Sequence, residues 1–200
     1  MTTWRDRFQK MSGKTRFVVC RMMLHLSGRE VAPLLGSFNQ IARQAMDSDG
    51  DLQVLGEGLV EVCQILLQNE IYWRSAANEG DVFWEEGEAG DYVSELFTDS
   101  AQRYLSGSIL EEPAPEEETL TLPVTENLVV MVAIALEGES PELETDLADL
   151  SALKAALRAT INLHYQERLR AIQVHFSPAQ LGDELTDDQL LLNFPELIPL

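Results

Sequence analysis

A stretch rich in proline and glutamate, residues 107–123, divides this sequence into two parts whose apolar residues repeat with different periods. Its three prolines and five glutamates stand at positions 113, 115 and 123 and at 111, 112, 116, 117 and 118. Proline opposes helix formation, and adjacent like charges keep a chain extended. We therefore predict a linker at 109–123 between a region at 1–108 and a smaller unit at 124–200.

Before the linker, apolar residues recur at three- and four-residue steps, as on one face of a helix. Three stretches show this pattern, 29–46, 52–72 and 90–106. Between the last two lies Trp73–Gly90, which is rich in aromatic residues, acids and glycine and is predicted to be a loop. The region 1–108 is therefore predicted to be mainly helical.

After the linker the period changes. Leu128–Leu136 is short, rich in β-branched residues and apolar on both faces, which predicts a buried strand. The apolar stripe of Leu147–Arg168 predicts a helix, and the alternation in Arg170–Phe176 predicts a second strand. Thr186–Gln189 is typical of a capping box that begins a short last helix.

These elements predict an α+β fold, in which a helical N-terminal half is joined by the acidic linker to a small β-α-β-α C-terminal unit. A strand, a helix and a strand in that order favour a right-handed parallel crossover. Two strands are too few for a stable sheet. We expect a third from within the chain, with Glu118–Leu122 as one candidate, or from a second copy in a homodimer.

Charge is sorted along the chain. Residues 1–45 carry eight Lys or Arg against two acids, a balance of +6, and residues 46–200 carry six against thirty-two, a balance of −26. A body this acidic repels the phosphates of nucleic acid, so we expect no nucleic-acid partner. The sorting indicates oriented contact with a protein or a membrane rather than a reaction.

The basic head has the composition of an interfacial helix. Trp4 and Phe8 fall on one helical face, surrounded by the cations Arg5, Arg7, Lys10 and Lys14. This pattern predicts contact of residues 1–26 with an anionic membrane or an acidic partner, or else packing of the head on the body. Phe17–Leu26 is interrupted by Arg21 and His25, and predicts neither a signal peptide nor a membrane span.

A second candidate surface combines aromatic rings with acids in the predicted loop. Its residues are Tyr72, Trp73, Phe83, Trp84, Glu85 and Glu86. Aromatic anchors with an acidic rim are typical of protein-recognition patches. The alternative is that these rings close the helical core.

Two groups of residues suggest metal chemistry. Asp47, Asp49 and Asp51 alternate as at the start of a calcium loop, but Leu52 and Gly58 occupy the positions that need glycine and a bidentate glutamate. A turn with a capping aspartate explains the same residues.

His164 and His175 could approach one another, but neither has a ligand cluster or a nucleophile beside it in the sequence. We predict no metal, no cofactor and no catalytic residue. A metal-dependent binder or an enzyme that uses the aspartate loop or this histidine region is the alternative.

The two cysteines, Cys20 and Cys63, lie in apolar stretches and are predicted to be buried, reduced thiols, as in the cytoplasm.

The C-terminal segments also carry a resemblance to a known family. They are Leu128–Gly138, Asp149–Leu157, Arg168–Pro178 and Leu185–Leu200. In this order they resemble a family of uncharacterised cyanobacterial and chloroplast proteins that includes the plant fluctuating-light acclimation proteins.

The resemblance implies a role near thylakoids in the acclimation of photosynthesis, and it implies no catalytic residues. Together with the acidic body, it predicts a non-enzymatic interaction or assembly factor in a cyanobacterium. We expect this factor to be cytoplasmic or peripheral to the thylakoid membrane, with a protein as its partner.

Overall fold

The computed structural model describes residues 14–106 and 125–200, which form an antiparallel sheet with helices on both faces. The elements in chain order are β1 Phe17–Ser27, α1 Val31–Met46, α2 Leu52–Gln68, a 3₁₀ turn Glu70–Tyr72, β2 Trp73–Phe83, α3 Glu86–Ser106, β3 Asn127–Glu137, α4 Leu150–Tyr165, β4 Leu169–Ser177, α5 Asp187–Asn193 and β5 Ile198–Pro199. The strand order is β4-β3-β1-β2-β5, and all neighbours are antiparallel.

The prediction of a helical N-terminal half was wrong, because that half supplies the two long strands β1 and β2. β1 is the central strand and is buried on both faces, so its sequence lacks the alternation of a half-exposed strand. β2 contains weak strand formers such as Asn78, Glu79 and Gly80. A Cβ atom on Gly80 would lie 2.6 Å from the carbonyl oxygen of Val19, so β1 and β2 approach closely only with glycine there.

The prediction of a parallel crossover was also wrong. Residues 138–149 lead from the end of β3 to β2, where the Asn78 side chain makes hydrogen bonds with Thr145 and Leu147. Helix α4 then returns the chain to the end of β3. β4 therefore starts beside Leu136 and runs antiparallel to β3. The predicted strands at Leu128–Leu136 and Arg170–Phe176 lie within β3 and β4, whereas the linker at 109–123 and Glu118–Leu122 lie outside the described residues.

The additional strands come from within the chain. β3 pairs with β1 along its whole length, from Asn127 opposite Ser27 to Glu137 opposite Phe17. The sheet therefore combines strands from both sides of the predicted linker.

The two faces of the sheet are packed differently. One face, which includes Cys20, Met22 and Leu24 of β1, packs against α1, α2 and α4 in a single large apolar core. We call this the helical-layer face. The other carries Arg21 and His25 and lies under α3 and the C-terminal segment, where the buried apolar residues form two smaller clusters. We call this the α3 face.

Candidate binding groove

A groove of about 990 Å³ lies at the β4 edge of the sheet. β4 contributes Ile172–Phe176, and the segment after it contributes Ala179–Leu181. The helices contribute Gly36, Asn39, Ile41, Ala42, Arg43, Ala45 and Met46 from α1 and Leu55, Gly58, Leu59 and Val62 from α2, with Gly50 between them. Its volume is at the upper end of the range for protein ligand sites.

The groove stays open because small residues line its helical side. Gly36, Ala42 and Ala45 recur at three- and six-residue steps on α1, where a larger residue would extend into the space. Beneath them, Phe38 stacks on Phe176 of β4 with ring centroids 5.1 Å apart. The Nδ2 group of Asn39 donates a hydrogen bond to the carbonyl oxygen of Ala179 at 3.0 Å, which holds the segment after β4 against α1.

The chemistry of the lining contrasts with that of the chain. Acids make up 34 of the 200 residues, yet none of the residues lining the groove is Asp or Glu. The lining is mainly apolar and carries the amides of Asn39 and Gln180 and the guanidinium of Arg43. Gln173 and His175 line the groove as residues of the β4 edge, because alternation along the strand places their side chains on the α3 face. Burial and the charge of Arg21 lower the pKa of His175. The groove is therefore a local non-acidic site on an acidic protein.

Part of the opposite edge of the sheet is paired by the chain itself. β5 pairs with Ser75 and Ala76 of β2, and the Leu200 amide donates to the Arg74 carbonyl at 3.0 Å. Farther along, the Asn78 side chain donates to Thr145 and accepts from the Leu147 amide. On the outer side of β4, no strand among residues 14–106 and 125–200 makes such a pairing.

A cluster of charged groups lies on the α3 face, centred on the fully buried Arg21. Its guanidinium pairs with Glu79 of β2 and with Asp99 of α3, and it donates to the Ser100 hydroxyl at 2.8 Å. Arg103 joins Asp99 to Glu196 near the C-terminus.

Both carboxylates that Arg21 holds are about two-fifths exposed. Burial raises the pKa of Asp99. Its hydrogen bond to Arg21 and the charges of Arg21 and Arg103 together lower it by more, so the pKa lies below its ordinary value. The cluster joins β1, β2, α3 and the C-terminal segment, and its carboxylates reach water at the surface.

A buried serine, a buried histidine and a half-buried asparagine lie in contact at the other end of the same face. The Ser75 hydroxyl is 3.2 Å from Nδ1 of His25, and Oδ1 of Asn127 is 3.1 Å from its Nε2. The Asn127 amide in turn donates to the Leu185 carbonyl. The order of groups resembles a nucleophile, a base and its orienting partner.

Their environment indicates a structural role for these three residues. Ser75 and His25 are both buried, which limits the approach of a substrate to the serine hydroxyl. Burial and the charge of Arg74 lower the pKa of His25, outweighing the opposing effects of Asn127 and Asp187, which favours the neutral imidazole that a buried hydrogen-bonded histidine requires. The arrangement ties the end of the sheet to the segment before α5.

The predicted aromatic and acidic recognition residues lie in two separate places. Tyr72 ends the 3₁₀ turn before β2, and Trp73 begins β2 and is buried in the core of the helical-layer face. Phe83 and Trp84 lie at its other end, about 33 Å away along an extended strand, and the Phe83 ring packs on Tyr92. Glu85 pairs with Lys14, and Glu86 begins α3. The structure does not bring these six residues together as one patch.

The predicted basic head divides at β1. Trp4, Arg5, Arg7, Phe8 and Lys10 lie outside the described residues, whereas Lys14 forms an exposed ion pair with Glu85. Residues 17–26 of the predicted contact segment form β1 in the centre of the sheet. No helix in the described parts of the chain has both the length and the apolar character to cross a membrane.

The residues considered for metal binding have other roles in the structure. Asp51 accepts a hydrogen bond from the Gln53 amide at 2.8 Å and caps α2, and Asp49 adopts a positive φ of 55° in the preceding turn. His164 contacts Gly56 on the helical-layer face, whereas His175 pairs with Met131 on the α3 face. Within residues 14–106 and 125–200 no three potential ligands are grouped to hold a metal ion.

The two cysteines are free and buried, as the sequence predicts. Burial raises the pKa of both thiols to about 12, and for Cys20 the nearby charge of Glu144 adds to the effect. Such thiols are protonated at neutral pH and are poor nucleophiles.

Sequence reasoning missed both the groove and the Arg21 cluster. The sequence contained a signal for the cluster. Val19, Arg21 and Met23 are every second residue of β1 and so lie on one face, where a buried arginine can pair with acids of neighbouring elements. The groove had a weaker signal, the small residues of α1, since only tertiary packing shows that they lie over the edge of β4.

The chain matches the model of a known protein family. No curated protein and no solved structure matches the chain. The model of one protein family matches residues 16–200, which include every strand and helix described above. The chain therefore belongs to the DUF1517 family, a family of proteins of unknown function.

Proposed function

We propose that this protein is a non-enzymatic interaction factor that binds a partner protein in the groove between α1, α2 and β4. The observation that carries the proposal is the groove itself, an apolar cleft without acids on a chain of net charge −20. A surface selected only for solubility would carry the acidic character of the rest of the chain. A partner segment can bury apolar side chains here without facing local negative charge.

The setting that we propose is photosynthesis. The C-terminal segments that resemble the fluctuating-light acclimation proteins form β3, α4, β4 and the C-terminal segment, so they include one side of the groove. We propose that the protein acts in a cyanobacterium, in the cytoplasm or at the thylakoid surface, as an assembly or acclimation factor. The acidic body favours a protein partner over nucleic acid.

A capture experiment with three proteins tests the proposed function. The immobilised wild type, an Ala45→Tyr variant that fills the groove, and an Ala32→Tyr control are each exposed to a cyanobacterial lysate. Both alanines lie half-buried on α1, but only Ala45 lines the groove. Thermal melts establish that all three proteins are folded.

We expect proteins that are retained by the wild type and by Ala32→Tyr but lost from Ala45→Tyr. The same set of captured proteins from all three would contradict the proposal, because filling the groove would then have no effect on binding.

A further inference from the structure

We infer that the groove binds an extended peptide segment of the partner, which adds to the outer edge of β4 as a further strand and places a carboxylate at Arg43. This inference rests on the proposed function and specifies the chemistry of the partner. It follows from three features of the groove: the strand edge along it, its length and its charge.

The edge of β4 offers backbone hydrogen bonds. In an antiparallel sheet, alternate residues of an edge strand direct their N–H and C=O groups away from the neighbouring strand. β4 is nine residues long and pairs with β3 on one side. At the opposite edge of this sheet the chain itself adds a strand, because β5 pairs with Ser75 and Ala76 of β2. An added peptide strand would close the β4 edge in the same way.

The length of the groove fits a short extended segment. The lining part of α1, from Gly36 to Met46, rises by about 15 Å. The lining part of β4, from Ile172 to Phe176, extends over about 13 Å. An extended peptide covers this length with about four or five residues. Alternate side chains of that peptide would face the apolar lining.

Charge identifies the class of segment. The lining carries the guanidinium of Arg43 and no carboxylate, and Arg43 is exposed on α1 beside Met46. Guanidinium binds carboxylate through two parallel hydrogen bonds, and the side chain of methionine adapts to varied apolar partners. A segment that alternates apolar and polar residues and has Asp or Glu near one end fits this lining.

The other occupants fit less well. The β4 strand of a second copy, with the sequence LRAIQVHFS, contains no carboxylate to meet Arg43, and two bodies of this charge repel one another. A fatty acid would supply an anionic head and apolar contacts, but it has no N–H groups with which to pair along the edge of a strand.

The test begins with a phage-displayed library of random nonapeptides, selected on the full-length protein. We expect enriched peptides with apolar residues at alternate positions and an acid at a constant end. A selected peptide is then synthesised with a fluorescent label, and its affinity is measured by anisotropy. Arg43→Glu should weaken binding about tenfold or more, whereas Arg158→Glu, which makes the same charge change on α4 away from the groove, should leave it unchanged.

N-methylation of the peptide backbone gives the sharpest measurement. Only alternate N–H groups of an added strand point toward β4. Methylation at positions of one parity should therefore weaken binding about fivefold to tenfold for each lost hydrogen bond, and at the other parity by less than twofold. Equal effects at both parities, enriched residues at helical spacing, or no enriched peptide would each overturn the inference.

Two further measurements test the competing occupants. Oleate that binds the wild type but not Ala45→Tyr, together with a selection that yields no peptide, would assign the groove to an anionic amphiphile. Light scattering that shows a dimer of the wild type and a monomer of Ala45→Tyr would assign it to a second copy. Either result overturns strand addition.

Failure of the inference is distinguishable from failure of the proposed function. Lysate capture that depends on Ala45 without alternate-residue sensitivity of a peptide would remove strand addition and leave the interaction function. Capture that is independent of Ala45 would remove the function itself.

Discussion

The two faces of the same sheet are stabilised in different ways. On the helical-layer face, alternate residues of β1 and β3 join α1, α2 and α4 in one continuous apolar core. On the α3 face, the apolar residues form two clusters, and the buried Arg21 and its acids hold α3 and the C-terminal segment. A single run of residues, Phe17–Ser27, supplies both faces. The comparison indicates that hydrophobic burial dominates one face and that ion pairs orient the elements of the other.

The groove lies where the helical-layer face ends. Its deeper residues, such as Leu59, Val62 and Phe176, are buried members of the large core, whereas Arg43 and Met46 are exposed. A large core can keep its stability with one open margin, because most of its apolar area is buried elsewhere. The α3 face has smaller apolar clusters and uses charged contacts to hold the segments that cover it.

The largest effect that we expect comes from the helical-layer face. Phe38→Ala would remove a fully buried ring that stacks on Phe176. The loss of the ring's buried apolar surface, together with the cavity that it leaves, should lower the free energy of unfolding by about 3–5 kcal/mol. Urea denaturation at neutral pH measures this change. A loss below about 1 kcal/mol would show that the core of this face is not continuous around Phe38.

The second prediction separates charge from packing on the α3 face. Arg21→Ala removes both the charge and the volume of a buried side chain, and we expect a loss of about 2–4 kcal/mol. Arg21→Met keeps much of the volume, and Glu79 and Asp99 both reach water, so their charges can be hydrated after the change. We therefore expect Arg21→Met to cost less than about 1.5 kcal/mol.

Urea denaturation of the two Arg21 variants decides between packing and charge. If Arg21→Met is as destabilising as Arg21→Ala, the ion pairs and not the volume of the side chain stabilise this face.

The sequence predicts the elements whose patterns are local. The alternation of Arg170–Phe176 and the apolar run Leu128–Leu136 identify β4 and β3, and the capping box at Thr186 identifies the start of α5. β1 is buried on both faces like β3, but it was missed because Arg21 and His25 interrupt its apolar run and suggest an exposed segment until their partners are known. β2 was missed because its weak strand formers are held by pairing with β1 and β5.

The groove was not predictable for a related reason. Its lining combines α1, α2 and β4, which are distant in the sequence, so no spacing of residues identifies it. The charge of the chain pointed to a binding protein, but the acids are distributed over the whole body. Only the structure shows the place from which they are missing.

The third prediction concerns acid, which should weaken the α3 face in two steps. The folded pKa of His25 is lower than its ordinary 6.5, so the unfolded state binds more protons as the pH falls below about 6.5. The folded pKa of Asp99 is lower than its ordinary 3.8, so its stabilising contribution is present above that pH and is lost as the pH falls below it. Stability should therefore decline on acidification, with a slope of at most about 1.4 kcal/mol per pH unit for each group.

Chemical denaturation between pH 7 and pH 3 measures both steps. His25→Gln should reduce the slope between pH 6.5 and pH 5, and what remains there belongs to His175, whose pKa is also lowered. Asp99→Asn should reduce the slope below pH 4 and leave the upper step unchanged. A single step that neither variant alters would place the acid-sensitive groups on the other face.

The smallest effect that we expect separates the two faces by local opening. Thr186 caps α5 on the α3 face through a capping box with Gln189, and α5 contains no fully buried residue. Loss of this cap in Thr186→Ala removes about 1 kcal/mol, which should speed amide hydrogen exchange across Asp187–Asn193 about fivefold and leave the melting temperature almost unchanged.

Asp51 caps α2, which has six buried residues in the core of the helical-layer face or at its margin. Asp51→Ala should therefore lower the stability of the whole protein by a similar amount, because α2 opens only when the large core unfolds. Exchange that rises in both helices without a change in either melting temperature would mean that α2 also opens locally. The two faces would then differ in composition but not in cooperativity, and the open groove beside α2 would be a mobile surface rather than a preformed one.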